Sequence, residues 1–245
     1  MNKPVMCHVV AGYPDRQTCL ELMLGLQASG TAALEVQIPF SDPIADGETI
    51  MQANDVALGG GMTTASSFEL IETARQRGLK VDLYIMSYLQ KVRHFGLDEF
   101  CARAAKSDTR GLIIPDLPYD SPEFAELGKS AKQYQLDVVP VLSPGMPVER
   151  LRAALAFQPS AVYVTSARGI TGNEYAPDKQ LKQLANDIRE QSKATIMVGF
   201  GIATPQDVRD ALTAGDVAVV GSAIINKLSS SNLAKTLSYI KSLTD

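Results

Sequence analysis

The sequence predicts an α/β fold of the (β/α)8 TIM barrel class, phosphate-binding type, and three observations lead there. Short apolar runs rich in β-branched residues alternate with longer stretches of helical period along the whole chain. There are eight such runs, and several lack the polar alternation of a half-solvated strand, as expected when a parallel sheet is covered on both faces. The chain has 245 residues and is 45% hydrophobic, enough for a sizeable core and within the range in which such barrels form one domain, here residues 1–245. A doubly wound open sheet is the alternative that the same alternation allows.

The elements follow in order. PVMCHVVAG (4–12) is apolar throughout and reads as the first strand, and CLELMLGLQASG, from Cys19, carries the apolar spacing of an amphipathic helix. ALEVQIPF (33–40) is the second strand, and FELIETARQRG, from Phe68, is again helical in period. KVDLYIMSY (80–88) and RGLIIPDLP (110–118) are the third and fourth strands, followed by the helical PEFAELGKSAKQYQ from Pro122. DVVPVLSP (137–144), AVYVTSA (161–167), TIMVGFGI (195–202) and VAVVGSAII (217–225) complete the set. A short extra helix after the eighth strand and a last helix from about Asn232 end the chain.

Composition narrows the function. The net charge is −4 with both signs interspersed, so no basic face is offered to nucleic acid or anionic lipid. The three cysteines (Cys7, Cys19, Cys101) have no paired metal spacing and the two histidines are far apart, which predicts a cytoplasmic, metal-free protein. The N-terminal apolar run is too short to span a bilayer and lacks a cleavage signal, which adds to the expectation of a cytoplasmic location.

In a parallel barrel, chemistry belongs at the C-terminal ends of the strands and in the loops after them. Glu35 lies inside the second strand, two positions before Gln37 and on the same face. If that face points into the barrel, the carboxylate leaves water, which costs several kcal/mol unless compensated and normally raises the pKa of a carboxyl group. An acid held near neutral pH suits proton transfer. The alternative is that Glu35 faces a helix and pairs with Lys or Arg. Asp46 follows eleven residues later, in a loop stiffened by Pro39 and Pro43 that can hold a carboxylate at the barrel mouth. Asp42-Pro43 and Asp46-Gly47 also fit simple turns.

Glycines after the seventh strand (Gly199, Gly201) and the eighth (Gly221, beside Ser222) precede helix starts, with Thr204 and Pro205 opening one of them. Glycines in these two loops, with the N-terminus of a short helix, fit a phosphate cradle, because no Cβ blocks the approach of an anion to backbone N–H groups; glycines that serve only tight turns are the alternative. The long connection SARGITGNEYAP (166–177) suggests a closing lid, with Gly172 as a further phosphate contact. Tyr163, in the sixth strand, is placed to reach Glu35 or Asp46 across the barrel, although buried tyrosines usually satisfy their hydroxyl structurally.

ALEVQIPFSDPIADG, GLIIPDLP, YVTSARGITG, GFGI and GSAI, in this order and at these spacings, resemble the α subunit of tryptophan synthase over nearly the whole chain, from about Val5 to Leu228. The eleven-residue interval from Glu35 to Asp46 is the specific part. The resemblance implies a lyase that cleaves indole-3-glycerol phosphate to indole and glyceraldehyde 3-phosphate by a retro-aldol reaction, with no cofactor of its own. It implies Glu35 as general acid and base at indole C3 and the glycerol hydroxyl, and Asp46 as the carboxylate at the indole N–H. Tyr163 would belong to the catalytic floor, and Gly172, Gly201, Gly221 and Ser222 would bind the substrate phosphate. Asp42 and Pro43 would belong to the loop facing a pyridoxal phosphate-dependent β subunit in an αββα assembly.

Several positions depart from the family's usual pattern. His8 stands where Phe is usual, Gln37 where Gly is, and Glu48 where Pro is. Leu89-Gln90-Lys91 replaces Tyr-Asn-Pro, Arg168 sits one place late, and only Met1 to Lys3 precede the first strand in place of a helix. His8, Gln37 and Glu48 motivate one alternative, an α-like subunit that mainly activates the β subunit; a second alternative is another sugar-phosphate enzyme on the same barrel.

Overall fold

The computed structural model describes residues 3–165, 179–199 and 201–245. The described strands are β1 (Val5–Val10), β2 (Ala33–Gln37), β3 (Asp82–Met86), β4 (Gly111–Ile113), β5 (Asp137–Val139), β6 (Val141–Leu142), β7 (Ala161–Thr165), β8 (Thr195–Gly199) and β9 (Val217–Val220). All pair in parallel. The sheet order β5-β4-β3-β2-β1-β9-β8-β7-β6 begins and ends on one stretch of chain, so the sheet closes into a barrel.

The eight expected strands become nine segments because Pro140 divides the fifth. Asp137–Val139 pairs with β4 and Val141–Leu142 with β7. Proline has no N–H to give to a ladder, but the Pro140 carbonyl still accepts from Tyr163 N at 3.0 Å. The proline thus marks where the strand passes from one neighbour to the other.

The helices are α1 (Arg16–Ala28), α2 (Glu48–Gly59), α3 (Thr64–Gln76), α4 (Leu89–Phe95), α5 (Leu97–Lys106), α6 (Pro122–Gln133), α7 (Val148–Ala156), α8 (Lys179–Gln191), α9 (Pro205–Ala211), α10 (Ser222–Ser230) and α11 (Leu233–Thr244). The starts of α1, α3, α6, α9 and α11 are set by side chains that accept from otherwise unpaired N–H groups. Asp15 caps α1, Ser121 caps α6 with Pro122 behind it, and Asn232 caps α11. At α9, Thr204 and Asp207 cap each other's backbone N–H, and Pro205 presets the first turn. Lys3 N donates to Thr244 O at 2.7 Å and the Thr244 hydroxyl to Ser29 O at 2.7 Å, which ties α11 to the entry of β1 and the end of α1.

Strand alternation builds two apolar layers. Val5, Cys7 and Val9 of β1, Leu34 and Val36 of β2, and Ile196 and Val198 of β8 face outward into a large core under the helices. Met6, Ala33, Tyr84, Met86, Ile113, Met197 and Val219 fill the barrel interior. The same alternation that sends Met6 and Ala33 inward sends His8, Glu35 and Gln37 inward, one and two layers higher.

Candidate active site

A cavity of about 590 Å³ opens at the C-terminal ends of the strands. Its walls bring together Glu35, Asp46, Tyr163, Gly201, Gly221 and Ser222, over a floor that includes Met86, Ile113, Val141 and Val219. Gly172 lies outside the described residues. Asp42 and Pro43 do not line the cavity: Asp42 is exposed and Pro43 buried. The carbonyl of Asp42 accepts from Ile44 N at 2.9 Å and that of Pro43 from Asp46 N at 2.9 Å, so this stretch is built from successive turns, as its Asp-Pro pair suggests.

Glu35 is only 3% exposed and its carboxyl meets the imidazole of His8, with Nδ1 to Oε2 at 3.0 Å. The partner follows from register, since His8 and Glu35 are opposed in the parallel β1–β2 pair and point to the same side. Its ion-pair partner is therefore a histidine of the neighbouring strand, not a Lys or Arg from a helix. His8 is 5% exposed. Burial alone would lower its pKa, but the charge of Glu35, the hydrogen bond to it and the charge of Asp46 outweigh burial and hold the imidazole above the usual histidine value. The ring also packs beside Gly221.

Asp46 is held from two sides. The Gln37 carboxamide donates to Asp46 Oδ2 at 2.6 Å and reaches Asn54 Oδ1 at 3.3 Å. The Asn54 oxygen also accepts from Phe40 N at 2.9 Å, and its amide donates to Ile50 O at 2.8 Å, so the head of α2 is stitched to the loop that carries Asp46. The Tyr88 hydroxyl bonds the Asp46 carboxyl and accepts from Ala45 N at 3.2 Å. Burial raises the pKa of Asp46 above the usual carboxylate range, an effect that the bonds from Gln37 and Tyr88 and the charge of His8 partly offset. Asp46 is thus not a freely solvated loop carboxylate. His8 Nε2 and Gln37 Oε1, both buried, make no well-formed hydrogen bond among the described residues, although the carboxamide also favours the charged imidazole.

Tyr163 is half-buried at the cavity wall, and loss of solvent around its hydroxyl, with the charges of Glu35 and Asp46, pushes its phenol far above the usual range, so that it stays protonated. Its ring lies against Gly199, where a Cβ would come within 2.1 Å of the hydroxyl oxygen. Gly199 therefore makes room for the tyrosine. This corrects its reading as part of a phosphate cradle, since it does not line the cavity.

Gly201 and Gly221 do line it. Gly201 has φ +78, a left-handed conformation that favours glycine. Gly221 is the N-cap of α10, makes no side-chain cap bond, and sets the helix start with Ser222 at the cavity wall. Backbone donors and the positive end of the helix dipole face this point, the arrangement that accepts a phosphate. Glu48, the first residue of α2, is exposed at the rim and accepts from Gln52 at 3.2 Å.

The sequence reading missed Tyr88 and Asn54 as site residues. Tyr88 carried one usable signal, a hydroxyl at the C-terminal end of a strand. Asn54 carried none, because a polar residue within a surface helix is unremarked until the fold turns it onto a loop.

Comparison with known proteins agrees over the full length. Residues 2–243 match the family model described as tryptophan synthase alpha chain. A tryptophan synthase alpha chain of Chloroflexus aggregans is 35% identical over 243 residues, covering 98% of this chain and 90% of its own length. One of Methanothermobacter thermautotrophicus is 36% identical over 222 residues, covering 90% and 81%. Among solved structures, Mycobacterium tuberculosis tryptophan synthase superposes with TM-score 0.89 at 27% identity, covering 99% of this chain and 91% of that one. A Pyrococcus furiosus tryptophan synthase complex superposes with TM-score 0.86 at 27% identity, covering 99% of each.

Proposed function

The chain belongs to the tryptophan synthase alpha chain family, and we propose that the family's reaction runs in the cavity between Glu35, Asp46 and the start of α10. That reaction is the lyase step of tryptophan biosynthesis, cleavage of indole-3-glycerol phosphate to indole and glyceraldehyde 3-phosphate. The observation that carries the placement is convergence: two carboxyl groups in different surroundings meet an uncapped helix start across one apolar floor.

In this reading Glu35 protonates indole C3 and takes the proton of the glycerol hydroxyl as the C–C bond breaks. Asp46 accepts from the indole N–H and stabilises the positive charge on the ring. Two carboxyl groups with different environments suit these two roles. The protonated Tyr163 packs at the floor, while Gly201, Gly221 and Ser222 hold the phosphate, joined by Gly172 from the 166–177 segment. The reaction needs no cofactor from this chain.

The partner is a tryptophan synthase β subunit, and the assembly an αββα tetramer in which that subunit carries pyridoxal phosphate. Supporting this, Ile44, beside Asp42 and Pro43 and at the cavity wall, is 81% exposed, an apolar side chain presented to solvent by the loop proposed to face the partner. Among the described residues no helix is long and apolar enough to cross a membrane; the cytoplasmic location is part of this proposal and rests on the biosynthetic role of the family.

The test is indole release from indole-3-glycerol phosphate by the purified chain, with and without a β subunit. Release should rise when β is added, and Glu35→Gln should lower it by at least about 100-fold, the lower range for a general acid or base. A fully active Glu35→Gln variant would end the assignment of Glu35.

A further inference from the structure

His8 and Glu35 form a buried pair inside the barrel, Nδ1 to Oε2 3.0 Å, fixed by the β1–β2 register. Resting on the reading above, we propose that His8 is a positioning residue for the lyase reaction: it holds the Glu35 carboxyl in place and stores the proton that Glu35 passes to indole C3.

The geometry supports both halves. A carboxylate on a long side chain has several rotamers, and a neighbouring ring fixed between β2 and Gly221 restricts them. The pair holds one proton, which the raised basicity of His8 keeps on the imidazole. Among the described residues, the groups facing His8 are Glu35 and Gln37 from β2 and Asp46 from the following loop. Gly221 before α10 adds no charge, Glu48 of α2 sits exposed at the rim, and Tyr163 lies across the cavity as a neutral phenol.

The proton balance closes. His8 Nδ1–H passes its proton to Glu35, which gives it to indole C3, and Asp46 faces the resulting ring cation. The C–C bond then breaks: its electron pair returns to the ring, the glycerol hydroxyl becomes the aldehyde, and its proton goes to Glu35. Glu35 returns a proton to His8. One proton has moved from hydroxyl to C3, and the pair ends as it began.

Two measurements test this. The chain has two histidines, His8 and His94, so imidazole-labelled protein gives two NMR titrations, assigned by the signal lost in His8→Asn. The His8 midpoint should lie above that of ordinary histidine and fall on Glu35→Gln; a midpoint unmoved by Glu35→Gln overturns the pair. The second is the pH profile of kcat for indole release. Wild type should lose activity at high pH as His8 gives up its proton. His8→Phe should lower kcat at neutral pH roughly tenfold or more, within the range of proton-transfer contributions, with a smaller change in KM. His8→Asn, which keeps a donor near the Nδ1 position but does not titrate, should recover part of the loss without restoring the alkaline limb. Variant profiles that keep the wild-type shape and differ only by a uniform factor overturn the proposal. Absence of cleavage by wild type at every pH overturns the functional reading instead, and the NMR titrations tell the two failures apart.

Discussion

The Gln37 carboxamide donates to Asp46 at 2.6 Å across the turn between β2 and α2, so the site's second carboxyl group is oriented by the strand that carries the first. Without this donor, burial would push the Asp46 carboxyl further up, since the bond favours its ionised form.

Gln37→Leu removes the donor at similar size. If Asp46 must be ionised to stabilise the ring cation, the acid limb of kcat/KM should move to higher pH in this variant, and kcat/KM near neutrality should fall about tenfold. A buried polar group left without its partner costs about 1–3 kcal/mol, which should also appear in urea unfolding. An acid limb that stays in place would show that Asp46 is held mainly by Tyr88.

Gly199 and Tyr163 make a second coupled pair. In Gly199→Ala the new Cβ would lie 2.1 Å from the Tyr163 hydroxyl and 2.5 Å from Cζ, so the ring must leave its place. The variant should lose about 1–3 kcal/mol of stability through overpacking, together with most of its activity. Tyr163→Phe should not rescue it, because the Cζ clash persists, whereas Tyr163→Val should. Unfolding of the single and double variants measures the coupling, and simple additivity would mean that the ring relaxes without cost.

What the sequence discloses is unequal, for physical reasons. Strands and helices announce themselves by period, so the runs around Met6, Leu34 and Ile196 and the helix starts near Pro122 and Asn232 are legible in one dimension. Glu35 and Asp46 are legible because an acid in a buried strand and another after a proline-stiffened turn conflict with simple burial. Pairings are not legible. That His8 meets Glu35 depends on the register of β1 against β2, and that Asn54 meets Phe40 N depends on how α2 docks; neither is encoded in local spacing. The role of Gly199 was misread for the same cause: glycine makes room for whatever approaches it, and only the fold shows that a phenol does.

The His8–Glu35 pair also predicts a pH dependence of stability. The imidazole of the folded chain has a raised pKa, so its stabilising contribution is full below the unfolded value of about 6.5 and is lost as pH rises through the higher folded value. Wild type minus His8→Phe should therefore show an unfolding free-energy difference that shrinks above about pH 6.5, with a slope of at most about 1.4 kcal/mol per pH unit for one proton. Urea unfolding at several pH values checks it, and a difference that is flat or grows with pH would mean that the pair does not hold its proton on His8.

Ser222 offers a test in which stability and function part company. It is the first residue of α10, behind an N-cap with no side-chain bond, so a negative side chain there interacts favourably with the helix dipole by about 0.3–1 kcal/mol. Ser222→Asp should therefore leave the melting temperature unchanged or slightly raised. The same charge occupies the place at the cavity wall proposed for the substrate phosphate, where it repels a dianion and competes for the backbone donors. KM for indole-3-glycerol phosphate should rise at least about tenfold, equivalent to 1.4 kcal/mol or so of lost binding. Added salt should narrow the gap to wild type, since screening weakens the repulsion. A variant that is more stable yet binds substrate normally would place the phosphate elsewhere in the cavity and remove α10 from the site.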